Sequence, residues 1–478
     1  MSGIVTGEST NHREMCARGL RRGWPANCEA SAQKVWIVMN TLALVLMASA
    51  ENAPLAADTQ LRSDVETLTL ARAIDIAMTN QPTVLRARAS TEAAAARVDQ
   101  AAASGLPQLN GSATYQRTTG NFVPRPGATV AAVQMAPPWK GTTYDFFNFG
   151  VAANQLIYDF GQTSGRKQAA ESNRLAAAAE ETTAVFGIRQ QVQAAYFRVR
   201  AQRALIRVAQ SSVENQQRHV EQIQGFVKAG LRPEIDLARV RTDLANARVQ
   251  LITAENGYGL AKAGLTQSMG LSSTKPYEIA DEEFPPVPVE EAESGTLIED
   301  ALRRRPERLA LERQRQAQLQ TIQGLKGAYG PTLTANAQAT EAGVSLDHLV
   351  PNWFVGGTLS WPVLQGGLTK GQVREAEANL RVIETEITDL RLQVQRQLDE
   401  ALLGIRASKA GVEAVAEAVA NAQEQLRLAE GRYKTGLGNA IELSDSQQAL
   451  SLAGAQAVQA NFDLTIARAS LGLALGQP

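Results

Sequence analysis

The sequence predicts a mainly α protein with a small β part, in which one unit is used twice: a short helix, a pair of strands and a long helical hairpin. Three observations carry this reading. The turns Phe226-Val227-Lys228-Ala229-Gly230-Leu231 and Arg432-Tyr433-Lys434-Thr435-Gly436-Leu437 match, with Gly436 lying 206 positions after Gly230. From Leu156 to Gly270 that offset holds without a gap, pairing Gly161/Gly367, Gly165/Gly371, Asn173/Asn379, Arg200/Arg406, Asn215/Asn421, Leu265/Leu471 and Gly270/Gly476. Upstream, Pro82 and Pro107 recur as Pro306 and Pro331 at an offset of 224, the additional 18 positions being loop between the first pair of strands. One register kept over such a length marks an internal duplication.

Taken in order, the chain opens with a segment read as a signal peptide, residues 1–50. A polar, basic stretch precedes the apolar run Val35–Met47 and the small residues Ala48-Ser49-Ala50, the pattern of an exported protein. The apolar run is short for a bilayer span. Both cysteines, Cys16 and Cys28, precede it, so the remainder offers neither a disulfide framework nor a cysteine-based metal site.

Residues 51–105 hold the first helical segment of repeat 1, with helix read over 62–105 from the spacing of Leu68, Leu70, Ile74, Ala77 and Met78 and Pro82 interrupting it near one end. Residues 106–160 read as a β-hairpin. Apolar or small residues alternate with polar ones in 109–115 and again in 147–154, around a Gly- and Pro-rich loop at 119–142. Residues 161–270 form the first long helical hairpin, its first arm on the order of 100 Å at about 1.5 Å per residue. An acidic, proline-rich linker follows at 271–296. The programme then repeats: helix at 297–330, β-hairpin at 331–363, long helical hairpin at 364–478.

In the second β-hairpin Trp353 and Trp361 share a face eight residues apart, roughly 26 Å along a strand at about 3.3 Å per residue. That approaches the spacing of the two aromatic girdles of a membrane barrel. Phe147 and Phe149 are the corresponding aromatics of the first hairpin.

Charge and composition exclude several classes of function. The 47 basic and 48 acidic residues nearly cancel, which gives no nucleic-acid-binding surface. His219 and His348 are isolated in sequence, no nucleophile–base pair stands out, and the Gly-x-x-x-Gly at 161–165 and 367–371 lacks the Lys-Ser/Thr of a phosphate loop. The reading is a protein without catalytic site, cofactor or metal.

Four strands cannot close a barrel, and strands with an apolar face must close one to enter a membrane. Closure is therefore shared by several chains. The long helices need neighbours along their length for the same reason. A coiled-coil adaptor or scaffold of the periplasm, without a pore, also explains the hairpins but leaves the alternating strands and the tryptophan spacing without a role.

The segment Leu359-Ser360-Trp361-Pro362-Val363-Leu364-Gln365-Gly366-Gly367, followed by Arg432-Tyr433-Lys434-Thr435-Gly436, closely resembles the TolC-like outer-membrane efflux protein family. The resemblance spans about 62–476. It implies a homotrimer whose twelve-stranded barrel in outer-membrane lipid continues as a helical tunnel through the periplasm. A periplasmic adaptor (membrane fusion) protein and an inner-membrane pump of RND or ABC type would be its partners in efflux or type I secretion. It also implies a gate at the hairpin tips. By position, the gate tyrosine is Tyr433, the acidic pair Glu442 and Asp445, and the tyrosine's aspartate partner Asp236. Gly438 stands where the family has an arginine, a place that Arg232 of the first copy is positioned to fill.

The tip residues keep a plainer reading as well. Gly230 and Gly436 end helices, and Gly438 belongs to the second turn. Asn439 is a good N-cap, and Asn439-x-x-Glu442 has capping-box spacing, so Glu442 either faces a pore or completes a cap. Asp445 either joins it on one helix face or is simply solvated, and Tyr433 either gates or packs.

Overall fold

The computed structural model describes residues 66–119, 143–272 and 276–477. The signal-peptide reading, residues 51–65 and most of the 119–142 loop lie outside these. The elements run β1 (Glu66–Leu68), α1 (Leu70–Asn80), α2 (Pro82–Ala103), β2 (Gln108–Thr119), β3 (Thr143–Tyr158), α3 (Gln162–Lys228), α4 (Glu234–Ser268), β4 (Tyr277–Ile279), α5 (Ser294–Arg304), α6 (Pro306–Gly327), β5 (Thr332–Gly343), β6 (Val350–Ser360), α7 (Leu368–Lys434) and α8 (Ala440–Ala474). The two longest helices, α3 and α7, have 67 residues each. Among the described residues no helix is long and apolar enough to cross a membrane.

Two expectations need correction. Within 62–105, Glu66–Leu68 is strand rather than helix, whereas Pro82, which lacks the N–H that continuation requires, interrupts the helix as expected and opens a second, with Gln81 extended at the junction. Pro306 does the same at Arg305. The acidic linker is also not featureless. Its β4 pairs in parallel with β1, Leu68 against Ile279, and the Tyr196 hydroxyl donates to the Leu68 and Ala280 carbonyls beneath this small sheet.

The duplication extends to packing. One core gathers Ala77, Ile188, Val192, Tyr196, Val199 and Leu265; the other gathers Ala301, Val394, Leu398, Leu402, Ile405 and Leu471, the same positions displaced by 224 or 206. Each long hairpin also ends on a helix junction in the same way. The Gln81 amide donates to the carbonyls of Gln267 and Ser268, and the Arg305 guanidinium donates to Ala474 and Leu473. Both satisfy the orphan carbonyls of a helix C-terminus.

The four long strands form one antiparallel sheet in the order β2-β3-β5-β6. Leu109 faces Ala153 in the first hairpin, and Leu333, 224 positions on, faces Leu359, 206 positions on. The two hairpins therefore have one register. The sheet is two-faced. Leu109, Ala113, Tyr115, Phe147, Phe149, Val151, Ala335, Ala339, Trp353, Val355 and Leu359 share one side, and Asn110, Ser112, Thr114, Asn148, Asn336, Gln338, Asn352 and Thr358 lie on the other. Tyr115 and Phe147 stack across the strands with ring centres 5.0 Å apart. The tryptophan spacing is only partly a strand spacing. β6 ends at Ser360, and Trp361 lies just beyond it with its indole N–H donated to the Tyr329 carbonyl.

Where the sheet passes into helix, α3 and α6 touch backbone to backbone. A Cβ on Gly165 would lie 2.7 Å from Gly324 Cα. The corresponding glycine of the second copy, Gly371, has open space beside it.

Candidate functional site

The candidate site is the end of the molecule where α3 turns into α4 and α7 into α8. Both turns are built alike. Gly230 and Gly436 take left-handed φ of 71° and 78°, and the next residue donates back into the helix, Leu231 to Phe226 and Leu437 to Arg432, at 2.9 and 3.0 Å. A side chain in that conformation would clash with its own backbone, which accounts for glycine at both places. The following helices start differently. Asn439 Oδ1 accepts the Glu442 N–H at 2.7 Å, whereas Pro233 gives α4 no side-chain cap.

The tips pack on each other through a small core containing Val220, Ile223, Val240, Leu244, Leu426, Tyr433 and Leu443. Tyr433 is its centre, 2 % exposed. The Arg232 guanidinium lies 4.9 Å from the centre of its ring and donates to the Gly438 carbonyl at 3.3 Å. The position left empty by Gly438 is thus served by Arg232 from the other tip. A Cβ at 438 would be tight, 3.0 Å from the Tyr433 nitrogen.

The Tyr433–Asp236 bond implied by the resemblance is absent: the buried Tyr433 hydroxyl has no hydrogen-bond partner among the described residues. Burial pushes its pKa up, Arg232 counteracts this, and the charge of Asp236 adds to it. Asp236 therefore acts on the tyrosine as a charge rather than as a bonded partner.

Glu442 does not close a capping box. Its backbone N–H takes the Asn439 cap while its carboxylate pairs with Arg432 at 3.2 Å across the turn. Asp445 is exposed, one helical turn further on the same outward face, and makes no ion pair among the described residues.

Sequence reasoning overlooked several members of this site. The Ser444 hydroxyl donates to Asp243 at 2.8 Å, tying α8 to α4. His219 is 4 % exposed and stands edge-on to Tyr433, ring centres 5.5 Å apart. It falls on the helical stripe with Ile223 and Phe226, which was the available signal. Among the described residues no cluster of three or more His, Cys, Asp or Glu side chains is arranged to hold a metal.

A two-faced strand sheet joined to paired helices of this length is an architecture suited to a membrane barrel continued by a helical stalk. The chain matches the family model described as outer membrane efflux protein over residues 73–271 and 297–477, and it belongs to that family. It is 24 % identical over 421 residues to the outer membrane protein TolC of Escherichia coli, covering 83 % of this chain and 80 % of that protein. It is 22 % identical over 389 residues to nodulation protein T of Rhizobium leguminosarum bv. trifolii, 80 % of either chain. In structure it is similar to the Campylobacter jejuni CmeC outer membrane channel, with a TM-score of 0.72 at 17 % identity over 89 % of this chain and 94 % of that one. The protein is an outer-membrane efflux or secretion channel component, with its helical part in the periplasm. The poreless scaffold reading is set aside.

Proposed function

We propose that three copies of the chain close a twelve-stranded barrel in the outer membrane and form the exit duct of a tripartite efflux or type I secretion system. An inner-membrane pump of RND or ABC type supplies the energy, and a periplasmic adaptor joins it to this duct. The cargo is small molecules, drugs or metals among them, or proteins, and the pump selects it. The apolar face carrying Phe147, Phe149 and Trp353 meets lipid, with Trp361 at the barrel base.

The observation that carries this reading is the repeated strand register with both edge strands, β2 and β6, unpaired. Within the chain, Ala153 of β3 faces Ala337 of β5. Moving each partner by the duplication offsets places Leu359 of one chain opposite Ala113 of the next. Gly371, open here, then takes the place against the next chain's α2 that Gly165 has against α6. Three chains bring three pairs of tips to one mouth. There Tyr433 with Arg232 and Asp236 holds the closed state, Gly230, Gly436 and Gly438 shape the turns, and Glu442 with Asp445 lines the constriction.

The test uses the absence of cysteine after Cys28. In a chain carrying Ala113→Cys and Leu359→Cys, a short thiol cross-linker is expected to give covalent dimers and trimers in outer membranes. Either single variant should give neither. A double variant that remains monomeric under the reagent overturns the register and the assembly drawn from it.

A further inference from the structure

We propose that His219 makes the closed tip sensitive to acid: neutral, it is a packing element against Tyr433, and protonated, it loosens that packing. The inference rests on the gate reading above and adds its regulation.

His219 projects from α3 into a cleft of about 200 Å³ between α3, α7 and α8, lined in part by Arg218, Glu430, Tyr433, Lys434 and Gln447. Three buried polar atoms of this cleft lack partners among the described residues: His219 Nε2, the Tyr433 hydroxyl and Gln447 Oε1. A neutral imidazole tolerates such a place, whereas an imidazolium must donate from both nitrogens. The charged groups facing it are mixed. α7 brings Glu430 and Lys434, α3 itself Arg218, and α4 Asp243, whose carboxylate already accepts from Ser444. α8 lines the cleft with Leu443 and Gln447, neither of which titrates. The ring on which His219 rests already carries the Arg232 guanidinium at 4.9 Å. A second cation would therefore enter against that tyrosine with no carboxylate hydrogen-bonded to His219 among the described residues, Glu430 standing 3.9 Å from Lys434.

The linkage has one sign. Burial lowers the His219 pKa below 6.5 in the packed tip, against a smaller upward pull from Asp243. The packed state thus binds fewer protons than a loosened one, and it weakens as pH falls below about 6.5. At pH 5.5 the loosened state gains up to about tenfold per chain. In a compartment continuous with the outside medium, the duct would be held shut less firmly in acid. The second copy has Gln425 at the equivalent position, so only one tip of each pair carries the device.

The experiment is single-channel recording in planar bilayers at pH 7.5 and 5.5 for the wild type, His219→Gln, His219→Asn and, as a separate control of the gate, Glu442→Ala with Asp445→Ala. Open probability or conductance of the wild type is expected to rise several-fold in acid. Both His219 variants should insert, conduct at pH 7.5 and show no such rise. If a conducting His219 variant keeps the wild-type acid response, or if the wild type is flat while the carboxylate control alters conductance at pH 7.5, the switch is refuted with the gate intact. If the carboxylate control is also silent, the gate reading fails and the switch falls with it.

Discussion

Arg232 and Gly438 occupy the same place in the two copies of one turn, 206 positions apart, and they touch: the guanidinium of the first donates to the carbonyl of the second. The duplication therefore does more than repeat a shape. It brings its two products together, and there they have diverged into a donor and a bare backbone acceptor.

Replacement of Arg232 is the sharpest test of that seam. Arg232→Ala removes a cation over Tyr433 and a charge-assisted hydrogen bond, half-exposed interactions worth about 1–2 kcal/mol together. The closed mouth is expected to leak, read as higher conductance and greater sensitivity to large antibiotics in an intact strain. Asp236→Ala should have the smaller effect, because no bond to the Tyr433 hydroxyl is lost. An Asp236→Ala phenotype exceeding that of Arg232→Ala would show that the tyrosine is held by the carboxylate.

The outward carboxylates make a separate prediction. Glu442→Ala with Asp445→Ala removes two acidic side chains per chain from the mouth, and rings of carboxylates favour cations. Conductance should rise and cation selectivity fall in reversal-potential measurements. Unchanged values would remove both residues from the constriction.

The linker has its own anchor. Glu290, 5 % exposed, accepts from Arg468 and Lys409 at 2.8 Å each and from the Val287 N–H. Burial alone would raise its pKa, yet the hydrogen bonds from Lys409, Val287 and Arg468 outweigh this and hold it below its ordinary 4.5. A depressed carboxylate contributes stability that is present above its unfolded value and is lost as pH falls through the folded one. Glu290→Gln should cost about 2 kcal/mol, less than a fully buried pair because Lys409 is part exposed. A lower Tm at neutral pH, with the difference shrinking below about pH 4.5, is the signature to seek.

Gly165 and Gly371 separate folding from assembly. Leucine at Gly165 collides with the backbone of α6 and should unfold the junction within one chain. Leucine at Gly371 meets nothing in its own chain, so the chain should fold yet fail to associate. Native-gel mobility together with circular dichroism distinguishes the two, and an assembled Gly371→Leu protein would contradict the placement of α2 there.

Much of this was readable in advance because it repeats or alternates. Long helices, period-two strands and a fixed offset leave a trace in one dimension. The β1–β4 sheet left none, since three residues are too few to show a period, and its partners lie on either side of the entire first hairpin. The tip is similar. Glu442 was legible as a helix-start residue, but its pairing with Arg432 depends on how tightly the turn closes. His219 looked solitary because its partners come from α4, α7 and α8. Gly438 departs visibly from the family pattern, but that Arg232 reaches its carbonyl shows only in the fold.

The unfinished edges of the sheet bear on how the protein is made. Each unpaired N–H and C=O that entered hydrocarbon would cost several kcal/mol, so a lone chain with β2 and β6 open is not a membrane protein at all. In the trimer proposed above, it would have to meet its companions before or during insertion, which would make biogenesis depend steeply on how many chains are present at once. It also makes the weakest copy decisive. A chain with one spoiled edge, produced beside normal ones, would strand them in the periplasm, so such alleles should act dominantly even where the normal gene is intact.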